Sequence, residues 1–225
     1  MNEDFKIPIP MQLQAPSYLS ELISHGEGLQ LDFKFAINDS RKIAISLSAF
    51  ANTKGGRLLI GVKDNGRIAG VRSDEEFYMI EAANDLYLNR PLSLTVVEHE
   101  VEGKKVLEVV VPEDQVKGIK AQDIHRKSWA YIRHLDQNLL ASPVHLELWR
   151  YASDTAPKKR LSQKQIVDGL KIIENFPTGI SLENFQKNTG LQRRRAAELL
   201  ARFIYWNLVD THIVNGRILF TSADQ

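Results

Sequence analysis

Apolar and polar residues alternate strictly over LQLDFKFA: Leu29, Leu31, Phe33 and Phe35 fall on one side, Gln30, Asp32 and Lys34 on the other. That period of two predicts a half-buried β-strand. The period then lengthens. Through RKIAISLSAFANT, Ile43, Leu47, Phe50 and Ala51 recur at helical spacing, with Ser40 as the expected N-cap and Gly55 just past the helix end. A buried strand over 57–62, a turn at Asp64-Asn65-Gly66 and a returning RIAGV strand follow. Beyond them the pattern predicts a helix over 73–88 and strands at 92–99, 105–111 and 128–134. A closing helix over 142–152 has Ser142 as N-cap and Pro143 in its first position. The fold class expected from this order is α+β, with a mixed or largely antiparallel sheet.

The polar, proline-containing ASDTAPKKR over 152–160 reads as a linker, which sets a first domain at 1–151 and a second at 161–225. In the second, Ile166, Leu170 and Ile173 form a helical stripe, and a short helix over 181–190 ends in glycine. A third helix over 192–207 turns Ala196, Leu199, Leu200, Phe203 and Trp206 inward, and strands 208–214 and 217–222 fold about Asn215-Gly216. Three helices followed by a two-stranded ribbon resemble a winged helix-turn-helix domain. The resemblance implies that the third helix enters the DNA major groove, with Gln192, Arg193, Arg194 and Arg195 meeting base edges or phosphates and Arg217 on the wing.

Composition narrows the chemistry. The 225 residues, 43 % hydrophobic and 25 % charged, are in the ordinary range of soluble globular proteins. No run of 18 apolar residues and no basic-then-apolar start occur, so neither a membrane partner nor export is expected and the location expected is cytoplasmic. Without cysteine there are no disulfides, zinc–thiolate sites, iron–sulfur clusters or thiol nucleophiles. The six histidines show no zinc spacing, and Trp129, Trp149 and Trp206 fall in apolar stripes that read as core. Charge is segregated: residues 1–156 carry a net −4 and residues 157–225 a net +5. The basic segment suits a polyanion partner, although taken alone it is as readily explained by a solvated surface.

Three stretches, GEGLQLDFK (26–34), AFANTKGGRLLIGVKDNGRIAGV (49–71) and YIRH (131–134), resemble the Schlafen-core or Alba-like DNA-binding domain over roughly residues 15–145. Asn52, Gly55, Gly56, Gly61 and Arg133 carry that pattern. Turn-making is the expected task of Gly55 and Gly56, and an interior hydrogen bond closing the turn that of Asn52. Arg133 is expected to touch phosphate or to make a salt bridge within the fold. The resemblance implies a DNA-binding protein, a prokaryotic transcription regulator acting as a homodimer through residues 1–156.

Two other functions are weighed against it. One is also implied by the resemblance, since some Schlafen cores are metal-dependent nucleases acting on RNA: carried over to this sequence, Glu27, Asp32 and Asp64 would gather Mg²⁺ or Mn²⁺, and Lys34 would neutralise the scissile phosphate. Asp32 stands where those nucleases carry glutamate, and Gln30, Asp32 and Lys34 also suit the solvent side of any half-buried strand. The other is a protein-interaction adaptor. The family is also classed as a divergent ATP-binding domain, but the glycines here follow a helix and no lysine-serine or lysine-threonine comes after them, so ATP is not expected.

Overall fold

Contacts divide the chain into two units, Met1–Leu140 and Ala141–Gln225, in a computed structural model that describes residues 11–12, 16–153 and 161–223. The first unit runs β1 (Met11–Gln12), α1 (Pro16–Ser24), β2 (Leu31–Lys34), α2 (Ser40–Asn52), β3 (Gly56–Ile60), α3 (Glu75–Tyr87), β4 (Thr95–Val101) and β5 (Lys104–Val111). Three short strands close it: β6 (Lys120–Gln122), β7 (Ser128–His134) and β8 (Gln137–Leu140). Strands β1-β4-β5-β3-β2 form one mixed sheet, in that spatial order, and β6-β7-β8 form a second. Within the larger sheet β2 and β3 run parallel, joined by α2, while β5 runs antiparallel to both β3 and β4. The α+β class is as the periodicity predicts.

Both faces of this sheet are covered. Leu58, Ile60, Leu107 and Val109 pack with Ile43, Leu47 and Phe50 of α2 and Ile80 of α3 on one side. On the other, Leu31, Phe33, Leu59 and Val106 pack with Leu19 of α1. The half-buried reading of β2 therefore fails for a definite reason: α2 lies over its polar side, and Asp32 is as buried as Phe33. The helix start shifts by one residue, because Asp39 is the N-cap and its carboxylate accepts the Arg41 N–H. RIAGV does not return as a strand; its contact is an isolated bridge between Val62 and Ile68, and Gly61 O accepts the N–H groups of Ala69 and Gly70.

The second unit contains α4 (Pro143–Ala152), α5 (Gln163–Glu174), α6 (Leu182–Thr189), α7 (Arg193–Tyr205) and an antiparallel hairpin of β9 (Val209–Val214) and β10 (Arg217–Ser222). Its core joins Ile173, Phe185, Leu199, Leu200, Phe203 and Phe220 to Val144 of α4. Tyr151 of α4 meets Tyr205 of α7 edge to face, with ring centroids 4.9 Å apart. Helix α4 thus belongs with the second unit, and the division lies after Leu140 rather than at the expected 151. Residues 154–160 of the expected linker lie outside the described residues. Two tryptophans read as core are exposed. Trp129 stands at the exposed start of β7 and donates its indole N–H to Asp123; Trp206 is the C-cap of α7, past the apolar stripe.

One histidine ties pH to this unit. His145 completes the capping box of α4, its Nδ1 accepting from Ser142 N at 3.3 Å and facing Ser142 Oγ at 2.9 Å. Burial pushes its pKa down from 6.5 to about 4. An unfolded chain takes up this proton near pH 6.5 and the folded one only near 4, so the full stability is present above 6.5 and falls as pH drops through that window. The expected loss is at most about 3 kcal/mol. Thermal unfolding of the chain from pH 7 to 4 should show it, and His145→Gln, which keeps an acceptor, should flatten it.

Candidate nucleic-acid interface

Three of the four acid-and-lysine candidates meet on the α2 side of β2. Lys34 Nζ lies 2.7 Å from Asp32 Oδ2 and also donates to the Phe33 carbonyl at 2.9 Å. Glu27 Oε1 accepts the Phe33 N–H at 2.8 Å, and its carboxyl lies near that of Asp32. Burial raises the Glu27 pKa, helped by the adjacent Asp32 and opposed by the Phe33 N–H and the Lys34 charge. Asp64 does not join them; it is exposed in the turn after β3. No group of three or more histidine and carboxylate side chains able to hold a metal occurs among the described residues. Asp32 is also occupied, accepting from Arg133 Nη2 at 3.3 Å and from Ser46 Oγ at 3.4 Å besides its pair with Lys34. These donors do not fit a divalent ion: Asp32 would first have to leave two cations, and the third carboxylate is elsewhere.

Arg133, on β7, is the centre of this arrangement. Its Nε donates to Gly28 O at 3.0 Å, Nη1 to Asn138 at 2.9 Å and Nη2 to Leu31 O at 3.2 Å, while the guanidinium lies 5.1 Å from the centroid of Phe50. It is buried and its donors face inward, so the phosphate-touching role considered for it gives way to the salt bridge within the fold.

The family-pattern residues of α2 do similar structural work. Asn52 Nδ2 donates to Ile119 O at 2.8 Å and Tyr131 O at 2.9 Å, and Oδ1 accepts the Ile119 N–H at 2.9 Å. Four residues earlier, Ser48 Oγ donates to Ile119 O and accepts the Tyr131 N–H; one residue later, Thr53 Oγ1 accepts the Arg133 N–H. A row of side chains on one face of α2 thus satisfies the edge of β7 where β6 has ended, as a neighbouring strand would. Asn52 closes this long-range contact, not the local turn. Gly55 has φ +65°, and a Cβ there would meet Val111 O at 2.7 Å; at Gly56 it would meet the Phe50 ring at 2.4 Å. The two glycines let the chain turn tightly under its own core. Gly61, with φ +94°, makes the exit from β3.

A second buried polar cluster escaped the sequence reading. On the α1 side of the sheet, Glu108 of β5 accepts from Tyr18 Oη and Arg57 Nε at 2.9 Å each, and from His99 Nε2 at 2.7 Å. Burial alone would raise the Glu108 pKa, but hydrogen bonds from His99 and Tyr18 and the charges of His99 and Arg57 hold it below its ordinary value. The signal was present: a lone glutamate within KVLEVVV has to find partners in the core. The cluster ties α1, β3 and β4 to β5.

In the second unit, Gln192 caps α7 without a side-chain hydrogen bond, and Arg193, Arg194 and Arg195 are exposed on its first turn. Ala196, Ala197, Leu199, Leu200 and Phe203 bury the opposite face. The arginines are not equivalent. Arg195 Nη1 pairs with Glu198 at 2.7 Å, and Arg194 Nε lies 3.7 Å from both Glu147 and Glu198. Arg193 has no ion pair among the described residues. Arg217 is exposed at the start of β10, beside the turn at Asn215 and Gly216.

The model of the family described as Schlafen, AlbA_2 matches residues 27–142, just over half of the 225 residues. The chain belongs to this Schlafen, AlbA_2 family. The match takes in the Glu27–Asp32–Lys34 group, the Asn52 contact and Arg133, and it associates the first unit with nucleic-acid binding. Among solved structures, the DIP2311 protein of Corynebacterium diphtheriae is similar at 17% identity and a TM-score of 0.47, over 85% of this chain and 34% of its own. This chain therefore spans about a third of that protein's length. The N-terminal domain of a RecG-related protein from Nitrosomonas europaea is similar at 20% identity and a TM-score of 0.41, over 67% of this chain and 97% of that domain. No curated protein matches the chain. Among the described residues, no helix is long and apolar enough to cross a membrane.

Proposed function

We propose that this Schlafen, AlbA_2 protein is a sequence-reading DNA-binding protein, a transcription regulator whose second unit acts as a winged helix-turn-helix module. The observation that carries the reading is the first turn of α7: Gln192 and three arginines exposed on a helix whose other face is core. Three guanidiniums at the positive end of a helix dipole repel each other and the dipole, and an anion relieves both. The order of three helices, α5 to α7, then a hairpin bearing Arg217 is that of modules which place the last helix in the major groove and the wing on the backbone. Palindromic operators are read by two-fold symmetric dimers, and the proposal includes a homodimer formed through the first unit.

The nuclease alternative is less well supported, since Asp32 is engaged on both oxygens and Asp64 stands apart. Gel-shift titrations against salt test the proposal. Arg193→Ala is expected to weaken duplex binding about tenfold, more than Arg194→Ala or Arg195→Ala, because those two must leave Glu147 or Glu198 to reach DNA. The triple alanine variant should also flatten the salt slope by roughly two to three. Unchanged binding by the triple variant would overturn the reading, and Mn²⁺-dependent RNA cleavage lost in Asp32→Asn would favour the nuclease.

A further inference from the structure

At the carboxyl ends of the parallel strands β2 and β3, an aromatic ring is left outside the core. Phe35 follows the last residue of β2 and is 43% exposed, although β2 is otherwise covered on both faces. Two cations from separate segments converge on it: Lys63 Nζ lies 5.3 Å from the ring centroid and the Arg72 guanidinium 5.5 Å. Neither Lys63 nor Arg72 has an ion pair among the described residues, so two like charges meet at one ring. Backbone bonds hold the segments in place. Gly61 N–H donates to Lys34 O, Lys63 N–H to Arg67 O and Val71 N–H to Lys105 O, while Arg72 N–H donates to Glu76. Arg67 is exposed on the same turn, and the one carboxylate in it is Asp64. A cation over a ring face is worth only about 0.5–1 kcal/mol at an exposed site, so either side chain is easily displaced.

We propose that Phe35 is a stacking platform for an unpaired base of a single-stranded nucleic acid, whose flanking phosphates are held by Lys63 and Arg72. A flat ring accepts any base, and cations 5.3 and 5.5 Å from its centroid can turn to the phosphates flanking that base; aromatic stacking with a cationic surround is how single strands are gripped without sequence readout. A duplex hides its bases and does not use the ring. The inference rests on the nucleic-acid reading above but places a second, strand-selective contact in the first unit.

The test is fluorescence anisotropy of the full chain with a labelled oligo(dT) 20-mer and, separately, a labelled duplex. Phe35→Ala should weaken oligo(dT) binding about tenfold and leave duplex binding within twofold, and Phe35→Trp should restore single-strand binding with quenching of indole fluorescence. Lys63→Gln with Arg72→Gln should reduce the single-strand salt slope by about 1.4. Equal oligo(dT) affinity for wild type and Phe35→Ala, with duplex binding intact, would overturn the platform and leave the DNA-binding reading standing. A loss of both ligands by Phe35→Ala that Phe35→Trp does not rescue would also overturn it. If neither oligonucleotide binds the wild-type chain at low salt, both readings fall.

Discussion

Replacing Arg133 by methionine is expected to destabilise the first unit by about 4 kcal/mol, read as a fall in its denaturation midpoint. Methionine keeps the apolar stem but removes every donor. The carbonyl of Gly28 and the amide oxygen of Asn138 then lose their partners, Leu31 O keeps only the Gly28 N–H, and each buried acceptor left unpaired costs about 1–3 kcal/mol. Asp32 keeps Lys34 but loses its second cation, and Phe50 loses the guanidinium beside it. Removing one member of a buried ion pair costs roughly 3–5 kcal/mol, because the remaining charge stays desolvated. That magnitude takes a large share of the 5–15 kcal/mol that holds a domain together. Adding Asp32→Asn to Arg133→Met should cost less than the sum of the two single changes, since the uncompensated charge goes with it. A fall below about 1 kcal/mol for Arg133→Met would mean that the guanidinium is not structural, and would return it to the list of phosphate-binding candidates.

Local periodicity made much of the fold legible, and its failures come from partners distant in sequence and from elements too short to show a period. Helices α2, α5, α6 and α7, strands β3, β5 and β7 and the terminal hairpin lie close to where their spacing puts them. Alternation in β2 correctly divides Leu31 and Phe33 from Asp32 and Lys34, but a period of two says which residues share a side, not whether that side meets water. The cover comes from α2 and from Arg133, about a hundred residues away in sequence. The same limit moved the domain boundary. Ser142 and Pro143 announce a helix locally, whereas its partner, α7, is fifty residues on and was not readable from α4 itself. Strands β6 and β8 were missed because three and four residues are too few to show a period. Of the site, the spacing of Glu27, Asp32 and Lys34 was legible; that Asp32 is consumed by the fold and Asp64 stands apart was not. The exposed arginines of α7 were visible as a basic helix start, but their unequal pairing with Glu147 and Glu198 depends on how α4 packs.

Asn52→Ala is expected to cost the first unit about 3 kcal/mol, because Tyr131 O and Ile119 N–H lose the partners that join the small sheet to α2. Ile119 O retains Ser48, which limits the loss. A sharper result comes from Asn52→Asp. At neutral pH a carboxylate would face two backbone carbonyls that formerly accepted hydrogen bonds, so this variant should be less stable than the alanine one. Burial and the carbonyl dipoles raise the pKa of that new carboxyl in the folded state, and the penalty is therefore full above it and relieved as pH falls through it. Once protonated, the carboxyl regains one donor. The midpoint of Asn52→Asp should consequently rise relative to Asn52→Ala between pH 7 and 4, a trend that a merely weakened contact would not produce. If instead both variants melt like the wild type and lose oligonucleotide binding, the asparagine of the ANT stretch is a ligand contact, and the row from Ser48 to Thr53 is not what fastens β7 to the core.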